Sequence, residues 1–399
     1  MRNDEGPATT SAELRAHNLA RLLRAVHDGG GGHTRAELTR QLGLARGTAT
    51  VLVRELAGRR LITELTPAET PSTQRARGRP TGVPSANSDG PVVLAVDLRD
   101  DSFTTAVFEL TGRGMVLDSQ ERGTRDGSRF LAQVAAALRK HRGALDGRVV
   151  GTGVAVPSPV RAGRMVQPTL EDWKDVDVAH TLHASVGNDA TLAGLAEARR
   201  GVLRGVPVAL HLHAATGIGG VLLTGGQPVT GAQGSAGEFG HMPLAGGDAP
   251  CQCGAVGCWE LYAGARGLLR EAGLPSEDGD RMAIAASVID SDPRALGRVA
   301  AALGRGIGAL VNAHDPAVVS LSGLAAAVLT AAPEQVSEAY QVALMRFRRT
   351  SPPALLPSAL GDLGPLTGAA ELVFDSFLTA RGLTAWQPAK PIDLGVGGC

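Results

Sequence analysis

Aromatic residues are scarce in this chain of 399 residues, where seven Phe, three Trp and two Tyr make up 3% of the total. Long apolar runs are also missing, and no stretch reaches the ~18 residues that a membrane-spanning helix needs. The segment from Met1 to Glu5 is mostly polar and lacks the apolar centre of a signal peptide. These absences exclude a membrane-spanning protein and lead us to expect a cytoplasmic one.

Lysine is absent from the first 85 residues, in which 13 arginines stand against eight acidic residues. This part of the chain carries a net charge of +5 and the remainder −5, although the whole chain is neutral. A basic end of this kind indicates a polyanionic partner such as nucleic acid. The alternative is a basic surface that only faces solvent, and charge alone does not decide between the two.

Apolar and charged residues occur in ordinary proportions, at 43% and 20% of the chain. These values are typical of a globular protein that can bury ample core. A chain of 399 residues exceeds what one hydrophobic core usually organises. We therefore expect two or three domains.

The basic end has the apolar periodicity of helices. A first apolar stripe predicts a helix that ends at the glycine run 29–32. The residues of this stripe are Leu19, Leu22, Leu23 and Val26. Thr34 and Glu37 have the spacing of a capping box, which predicts a short second helix that runs to about Gln41.

A third helix is predicted from about residue 45 to residue 57, after a turn at Gly43. This is helix-turn-helix spacing, which lets the later helix enter a DNA major groove. The alternating segment 61–65 then predicts a strand that begins a wing. The alternative is a small helical domain that binds a partner protein. The residues expected to contact DNA are Arg46, Thr48, Thr50 and Arg54.

Residues 67–90 contain several Pro, Ser, Thr and Arg and almost no apolar residues, so we expect a linker there. Arg79 precedes Pro80 in this segment. We expect Arg79 to reach toward a DNA minor groove. The alternative is an arginine that only keeps the linker soluble.

Three of the four cysteines fall within eight residues, with a histidine ten positions upstream. Zn²⁺ prefers four nitrogen or sulfur ligands in a tetrahedral arrangement, which His241, Cys251, Cys253 and Cys258 can supply. The alternative is a group of small buried apolar side chains. The remaining Cys399 is far away in sequence, and nothing indicates an oxidising compartment in which a disulfide would form.

The same segment, Gly-Glu-x-Gly-His followed by Cys-x-Cys-Gly-x-x-Gly-Cys-x-Glu at residues 237–260, resembles the signature of the ROK family. This family comprises bacterial sugar kinases and sugar-responsive repressors. The resemblance implies that Glu238, His241 and Glu260 contact sugar hydroxyls and that the zinc has a structural role. The helix-turn-helix segment, wing and Gly78-Arg79-Pro80 triplet resemble the domain that precedes ROK repressors.

Asn188 and Asp189 resemble the Asn-Asp pair of this family that binds the sugar. In the kinases the Asp is also the catalytic base. The alternative is a helix N-cap, which Asn and Asp also favour. The interval between Trp173 and Asn188 is shorter than the resemblance leads us to expect. It predicts that the strand before the Asn-Asp pair is missing.

The first phosphate-binding loop of ROK kinases has the pattern Asp-x-Gly-Gly-Thr, but this chain has Asp97-Leu98-Arg99-Asp100-Asp101. Side chains and carboxylates in place of the glycines oppose the approach of a polyphosphate. The second loop, Thr216-Gly217-Ile218-Gly219-Gly220, is retained. The sequence therefore argues against sugar kinase activity. The alternative is an ATP-dependent, glucokinase-like enzyme with Asp189 as its general base.

The fold class that the resemblance implies is α/β, with a two-lobed, actin-like (ribonuclease-H-like) ROK domain after a winged helix-turn-helix. We expect the DNA-binding domain at residues 12–66, followed by the linker. The first lobe is expected at residues 91–190, to which a C-terminal helix at 367–385 returns. Residues 191–366 are expected to form the second lobe, with the zinc loop and a dimer surface.

The expected function is a sugar-responsive, DNA-binding transcriptional regulator, and the pattern favours a repressor. Its expected effector is a monosaccharide or sugar phosphate, and its one cofactor is a structural Zn²⁺. A homodimer, or a dimer of dimers, on a pseudo-palindromic operator follows from the way such domains read half-sites.

Overall fold

The computed structural model describes residues 10–65, 82–124, 126–161, 163–166, 176–244, 246–275 and 281–387. Trp173, Cys399 and the predicted minor-groove residue Arg79 lie outside these ranges. Among the residues described, no helix combines the length and the apolar character needed to cross a bilayer.

The N-terminal unit consists of three helices and a two-stranded antiparallel sheet. Thr34 and Glu37 form the predicted capping box at the second helix, because each side chain accepts a hydrogen bond from the backbone of the other residue. Gly43 has a φ of 64°, as the predicted turn requires. The elements are α1 (Ser11–Asp28), α2 (Arg35–Gln41), α3 (Arg46–Gly58), β1 (Ile62–Leu65) and β2 (Val83–Ala86).

The predicted linker ends too late in the sequence. Residues 83–86 were assigned to it, but they form β2, in which Val83 pairs with Leu65 and Ala86 with Ile62. Pairing uses backbone groups, so the low apolar content of this segment did not prevent it. Val83 supplies the one large apolar side chain of β2 and is buried.

A five-stranded sheet follows, with strand order β5-β4-β3-β6-β9. β3, β6 and β9 are parallel, whereas β4 and β5 are antiparallel to their neighbours. The elements are β3 (Val92–Leu98), β4 (Ser102–Glu109), β5 (Gly114–Glu121), α4 (Gly127–Ala144), β6 (Val149–Val156), β7 (Val160–Arg161), β8 (Arg164–Met165), α5 (Val178–Leu182) and β9 (Ser185–Asn188).

The prediction that the strand before Asn188 is missing is wrong. β9 is present and pairs in parallel with β6, so that Ser185 lies opposite Gly153 and Asn188 opposite Val156. The strand is only four residues long and carries one large apolar side chain, Val186. It therefore lacks the apolar run by which the other strands of this sheet are recognised.

A second five-stranded sheet has the order β12-β11-β10-β13-β14, with β10, β13 and β14 parallel. The helices and strands of this part of the chain are α6 (Asp189–Arg200), β10 (Val208–Ala214), β11 (Ile218–Thr224), β12 (Gln227–Pro228), α7 (Ala265–Glu271), α8 (Arg281–Ser291), α9 (Pro293–His314), β13 (Val318–Gly323), α10 (Leu324–Ala331), α11 (Pro333–Ala343) and β14 (Ala354–Pro357). Short 3₁₀ helices at Phe239–His241 and Trp259–Leu261 enclose the cysteine-rich loop.

Two final helices, α12 (Gly364–Phe377) and α13 (Ala380–Ala385), return to the first sheet and the N-terminal unit. α12 packs on β3, β6 and α6, and α13 packs on α1. Leu23 of α1 lies in the same apolar core as Phe374 and Trp386. The indole nitrogen of Trp386 also donates to the carbonyl of Arg59 at a distance of 2.9 Å. The N-terminal unit is thus packed against the rest of the chain.

Candidate functional site

A cleft of about 790 Å³ lies between the two sheets. The carboxyl ends of the parallel strands β3 and β9 bring Asp97 and Asn188 to one wall, because equivalent ends of parallel strands meet at the same edge. The other wall is formed by the β10–β11 turn and the loops around Glu238 and Glu260. Clefts at this position of α/β folds are common ligand sites.

All five residues predicted to bind sugar line this cleft. They come from three separate parts of the chain: Asn188 and Asp189 from the start of α6, Glu238 and His241 from the first 3₁₀ turn, and Glu260 from the second. Together they present carboxylate, amide and ring-nitrogen groups, which can accept or donate hydrogen bonds to a polyol.

Asn188 serves as a helix cap and a cleft residue at once. Its Oδ1 accepts from the backbone N–H of Thr191 at 3.0 Å, so the N-cap interpretation is confirmed. Its Nδ2 donates to Asp189 Oδ1 at 3.0 Å, and the N–H of Ala190 donates to the same oxygen at 2.6 Å. The Asp189 side chain also lines the cleft.

The carboxyl group of Asp189 in the cleft has a strongly raised pKa. Burial, reinforced by the nearby charge of Asp97, raises the pKa of Asp189 to about 7. Burial also raises the pKa of Asp97, which is 3% exposed, against the opposing effect of Arg99. Near neutral pH the Asp189 side chain can therefore both accept and donate a proton.

The four predicted metal ligands converge on one point. The ligand atoms of His241, Cys251, Cys253 and Cys258 all lie within 4.8 Å of one another. The Sγ of Cys251 is 3.7 Å from His241 Nδ1, and the Sγ atoms of Cys253 and Cys258 are 3.5 Å apart. Ligands about 2.3 Å from a tetrahedral zinc ion are separated by about 3.8 Å, so the spacing fits such an ion.

Backbone geometry explains why this short segment can surround one ion. Gly254 and Gly257 have φ values of 92° and 76°, which residues with a Cβ atom rarely adopt. The N–H of Cys251 donates to the carbonyl of Ala255 at 2.8 Å and closes the turn between the ligands. The donor set and its spacing show that the cluster could hold a metal ion.

The metal cluster and the cleft share residues. His241 turns Nδ1 toward Cys251, while its Nε2 lies 3.9 Å from Glu238 Oε2. Glu260 lies 3.9 Å from His241 Nδ1 and pairs with Arg266 Nη1 at 2.9 Å. An ion at the cluster would therefore fix the histidine whose other nitrogen faces the cleft.

Further charged and imidazole side chains line the cleft. Arg99, on the β3–β4 turn, donates from Nε to Asp97 Oδ2 at 3.0 Å. His213, on β10, contacts the hydroxyl of Ser322 at 2.8 Å, and burial lowers its pKa to about 4. The ring is therefore neutral at pH 7.

Sequence reasoning missed His213 and Arg266 as cleft residues. His211 and His213 alternate along β10 and so share one face, and this period of two was the available signal. Arg266 reaches Glu260 from the first turn of α7. No motif identified Arg266, because its contact depends on the fold of the loop before it.

The predicted DNA-contacting residues lie on α3. Arg46, Thr48 and Arg54 are exposed, and within the described part of the chain neither arginine forms an ion pair. Thr50 is half-buried, and its hydroxyl donates to the carbonyl of Arg46 at 2.9 Å. Of the four side chains on α3 that were predicted to contact DNA, three are therefore accessible to a ligand.

Comparison with known proteins places this geometry in a family. Residues 93–376 match the sequence model of the ROK family. The xylose repressor of Bacillus subtilis (strain 168) is 26% identical over 246 residues, which cover 58% of this chain and 62% of that protein, less than two thirds of its length. The kanosamine kinase of Amycolatopsis mediterranei (strain S699) is 30% identical over 264 residues, which cover 61% of this chain and 82% of the kinase.

Solved structures share the fold. A ROK family transcriptional regulator, a homologue of the E. coli MLC protein, has a TM-score of 0.69 at 21% identity and covers 93% of this chain and 98% of its own. A ROK family glucokinase from Streptomyces griseus, in complex with glucose and AMPPNP, has a TM-score of 0.60 at 23% identity and covers 71% of this chain and 99% of its own. The common fold is the two-sheet, actin-like architecture of this family.

Proposed function

This chain belongs to the ROK family, and we propose that it is a sequence-specific DNA-binding transcriptional regulator, a repressor, whose operator affinity responds to a sugar in the cleft. The observation that carries the proposal is the N-terminal unit, which is folded onto the ROK domain. The glucokinase structure covers 71% of this chain, whereas the regulator structure covers 93%. Such a regulator acts in the cytoplasm, where the DNA is.

The N-terminal unit has the composition and exposure expected of a winged helix-turn-helix. In our proposal α3 enters the major groove, with Arg46 and Arg54 on phosphates and Thr48 near base edges. β1 and β2 form the wing, so the DNA-binding domain extends from residue 12 to Ala86 and not only to residue 66. Arg79 remains a prediction for the minor groove, and Thr50 one for the major groove.

The effector in this proposal is a monosaccharide held by Asn188, Asp189, Glu238, His241 and Glu260. The charge of the cleft favours an unphosphorylated sugar over a sugar phosphate. Arg99 and Arg266, the guanidinium groups among the described lining residues, are both paired with carboxylates. Further carboxylates line the same cleft and would repel a phosphate ester.

We assign the metal cluster to a structural Zn²⁺. Three thiolates and an imidazole are the donor set that zinc prefers, and they leave no position open for water. Bound zinc would hold the loop that carries His241 in place. The chain's own residues would make the sugar contacts.

Coupling in this proposal follows the usual thermodynamic form. A sugar that binds one arrangement of the protein better than another changes operator affinity by about 5- to 150-fold, for a coupling free energy of about 1–3 kcal/mol. We expect a two-fold homodimer, or a dimer of dimers, on a pseudo-palindromic operator, because paired recognition helices read paired half-sites.

A second candidate function is ATP-dependent sugar phosphorylation with Asp189 as general base. The raised pKa of Asp189, about 7, supports it, because that value suits deprotonation of a sugar hydroxyl near neutral pH. Against it stand the Arg99–Asp97 pair and the carboxylates of Asp100 and Asp101, which occupy the wall where an ATP phosphate group would need access.

The deciding experiment is a mobility-shift assay at fixed salt with DNA fragments from the protein's genomic neighbourhood. Each fragment is tested with and without a panel of sugars and their 6-phosphates. We expect one fragment to shift and one sugar to change its Kd by fivefold or more. If no fragment shifts under any condition, the proposal fails.

A matched pair of variants tests the DNA-binding surface. Arg46→Ala with Arg54→Ala should weaken operator binding and lower the salt slope by about one for each phosphate that the protein no longer neutralises. Arg346→Ala removes an exposed arginine of the second lobe and should leave the shift unchanged. Equal effects of both substitutions would contradict the assignment of α3.

A further inference from the structure

α6 connects the cleft with the N-terminal unit. Asn188 and Asp189 at its first turn line the cleft, and Arg199 and Arg200 end it. Twelve helical residues span about 18 Å at 1.5 Å per residue. One rigid element therefore has a sugar-facing end and an end that approaches α1.

Arg200 makes direct contacts with α1. Its Nη1 donates to the backbone carbonyl of His27 at 2.7 Å, and its Nη2 lies 2.7 Å from the Nε2 of the same histidine. The other ring nitrogen of His27, Nδ1, contacts the carbonyl of Leu110, and Nε2 also lies 3.0 Å from Glu371 Oε2, so the ring is held between Arg200 and Glu371. Arg200 Nη1 also lies 3.3 Å from the carbonyl of Thr111.

α12 supplies the opposite charges. Glu371 accepts from Arg200 Nε at 2.8 Å and from Arg199 Nη1 at 2.9 Å. One helical turn later, Asp375 accepts from Arg199 Nη2 at 2.7 Å and from Arg24 of α1 at 2.8 Å. We call these side chains the α1 clasp: Arg24, His27, Arg199, Arg200, Glu371 and Asp375.

The centre of the α1 clasp is buried. The side chains of His27 and Glu371 are 0% and 1% exposed, and that of Arg200 is 12% exposed. At this depth a displaced arginine leaves a buried carboxylate or ring nitrogen without its partner, which costs free energy. The clasp therefore resists small displacements and favours two discrete arrangements over a continuous series.

α6 is also closely fitted to its neighbours. A Cβ on Gly194 of α6 would lie 2.2 Å from Val221 Cγ1 of the second sheet. A Cβ on Gly368 of α12 would lie 2.0 Å from the carbonyl oxygen of Leu192 in α6. Since neither contact leaves space, α6 is fixed both to the second sheet and to α12, so a movement of the second sheet about the cleft is transmitted through α6 toward α12 and the α1 clasp.

We propose that Arg200 is a positioning residue through which occupancy of the cleft reaches α1. Sugar closes the cleft walls around Asn188 and Asp189, α6 shifts along with them, and Arg200 moves its contacts on His27 and thereby turns the N-terminal unit. Glu371 holds Arg200 in place in the arrangement described above. This inference rests on the sugar-responsive DNA binding proposed above and adds its route.

The test uses the full chain, the operator fragment and the effector sugar found in the mobility-shift assay. Two quantities are measured for each variant: the sugar Kd without DNA, by calorimetry, and the ratio of operator Kd values with and without saturating sugar. For Arg200→Gln we expect the ratio to fall to within twofold of one, while the sugar Kd changes less than twofold. If Arg200 had a purely structural role, Arg200→Gln would lower the melting temperature but would not abolish the effect of sugar on the operator Kd while leaving the sugar Kd unchanged.

Arg204→Gln is the matched control. It removes the same charge four residues later, where the Arg204 side chain, among the residues described, makes a single long contact of 3.4 Å with the carbonyl of Asp28. It should keep the wild-type ratio. Arg200→Lys keeps the charge opposite Glu371 and should fold even where Arg200→Gln does not, with an intermediate ratio.

The outcomes separate this inference from the proposed function. A wild-type ratio in folded Arg200→Gln, or in Arg200→Lys where only that variant folds, overturns the inference and leaves the regulator intact. A wild-type protein whose DNA binding ignores every sugar overturns both. An uncoupled Arg204→Gln alongside an uncoupled Arg200→Gln would also overturn it, because the effect would then not belong to the clasp.

Discussion

Replacing Asp189 with Asn should stabilise the sugar-free protein above pH 7. Burial is the main cause of the raised pKa of Asp189, and the nearby charges of Asp97, Glu238 and Asp100 add to it. The pKa is raised from 3.8 to about 7, so the folded state resists ionisation of this group. Asn has the same shape and no charge, and it can still accept from the backbone N–H of Ala190.

The size of the effect follows from the pKa. A rise of about three units corresponds to about 4 kcal/mol, since one unit is worth about 1.4 kcal/mol. The folded state keeps its proton between pH 4 and pH 7, whereas the unfolded state has lost it. The contribution of the Asp189 carboxyl group to the free energy of unfolding is therefore fully present below pH 4 and is lost as the pH rises through 7.

Between pH 5 and pH 8 the wild-type protein should lose about 3 kcal/mol relative to Asp189→Asn. Thermal unfolding measures this as a difference in melting temperature between wild type and Asp189→Asn. The difference should be roughly 6–12 °C larger at pH 8 than at pH 5, because each kcal/mol shifts the melting temperature of a domain of this size by about 2–4 °C. Asp146→Asn is the control, since Asp146 is exposed and has a φ of 42° that Asn tolerates. A difference that is the same at pH 5 and pH 8 would refute the reasoning.

Three further predictions concern metal, packing and catalysis. Purified protein should hold about one Zn²⁺ per chain by elemental analysis. Cys253→Ser should lose the metal and melt at a lower temperature, whereas Cys399→Ser should keep both the metal and the wild-type melting temperature. A metal-free wild type would contradict the assignment. Glu371→Gln should lower the free energy of unfolding, measured in urea, by about 3–5 kcal/mol, because it leaves buried cations without their carboxylate. Asp375→Asn, at a 36% exposed site, should lower it by about 1 kcal/mol or less. Equal losses in the two variants would contradict the burial argument. A coupled assay with ATP and a sugar panel should show no turnover, and turnover that disappears in Asp189→Ala would establish the kinase instead.

The parts of the fold that the sequence predicted best have strong local signals. The stripe on α1 and the Thr34–Glu37 capping box are each decided within a few residues, so the pattern alone is sufficient. The metal cluster was predictable for the same reason, because three of its ligands are within eight residues of one another.

The parts that were mispredicted depend on contacts between distant segments. β9 is recognisable only beside β6, and β2 only beside β1, since their own residues are short or weakly apolar. Arg266 enters the cleft through the fold of the loop before it. The α1 clasp joins residues from three distant helices, and no spacing in the sequence marks such a set.

The contact between α1 and α12 has a consequence for synthesis of the chain. His27 and Glu371 are 344 residues apart, and Arg24 and Asp375 are 351 apart. At about 5–20 residues per second, roughly 20–70 s pass between the emergence of one partner and the other. During that time the face of α1 that will be buried has no acidic partner, and a chain that stops before α12 never acquires one. The N-terminal unit therefore acquires these contacts only after α12 has emerged from the ribosome.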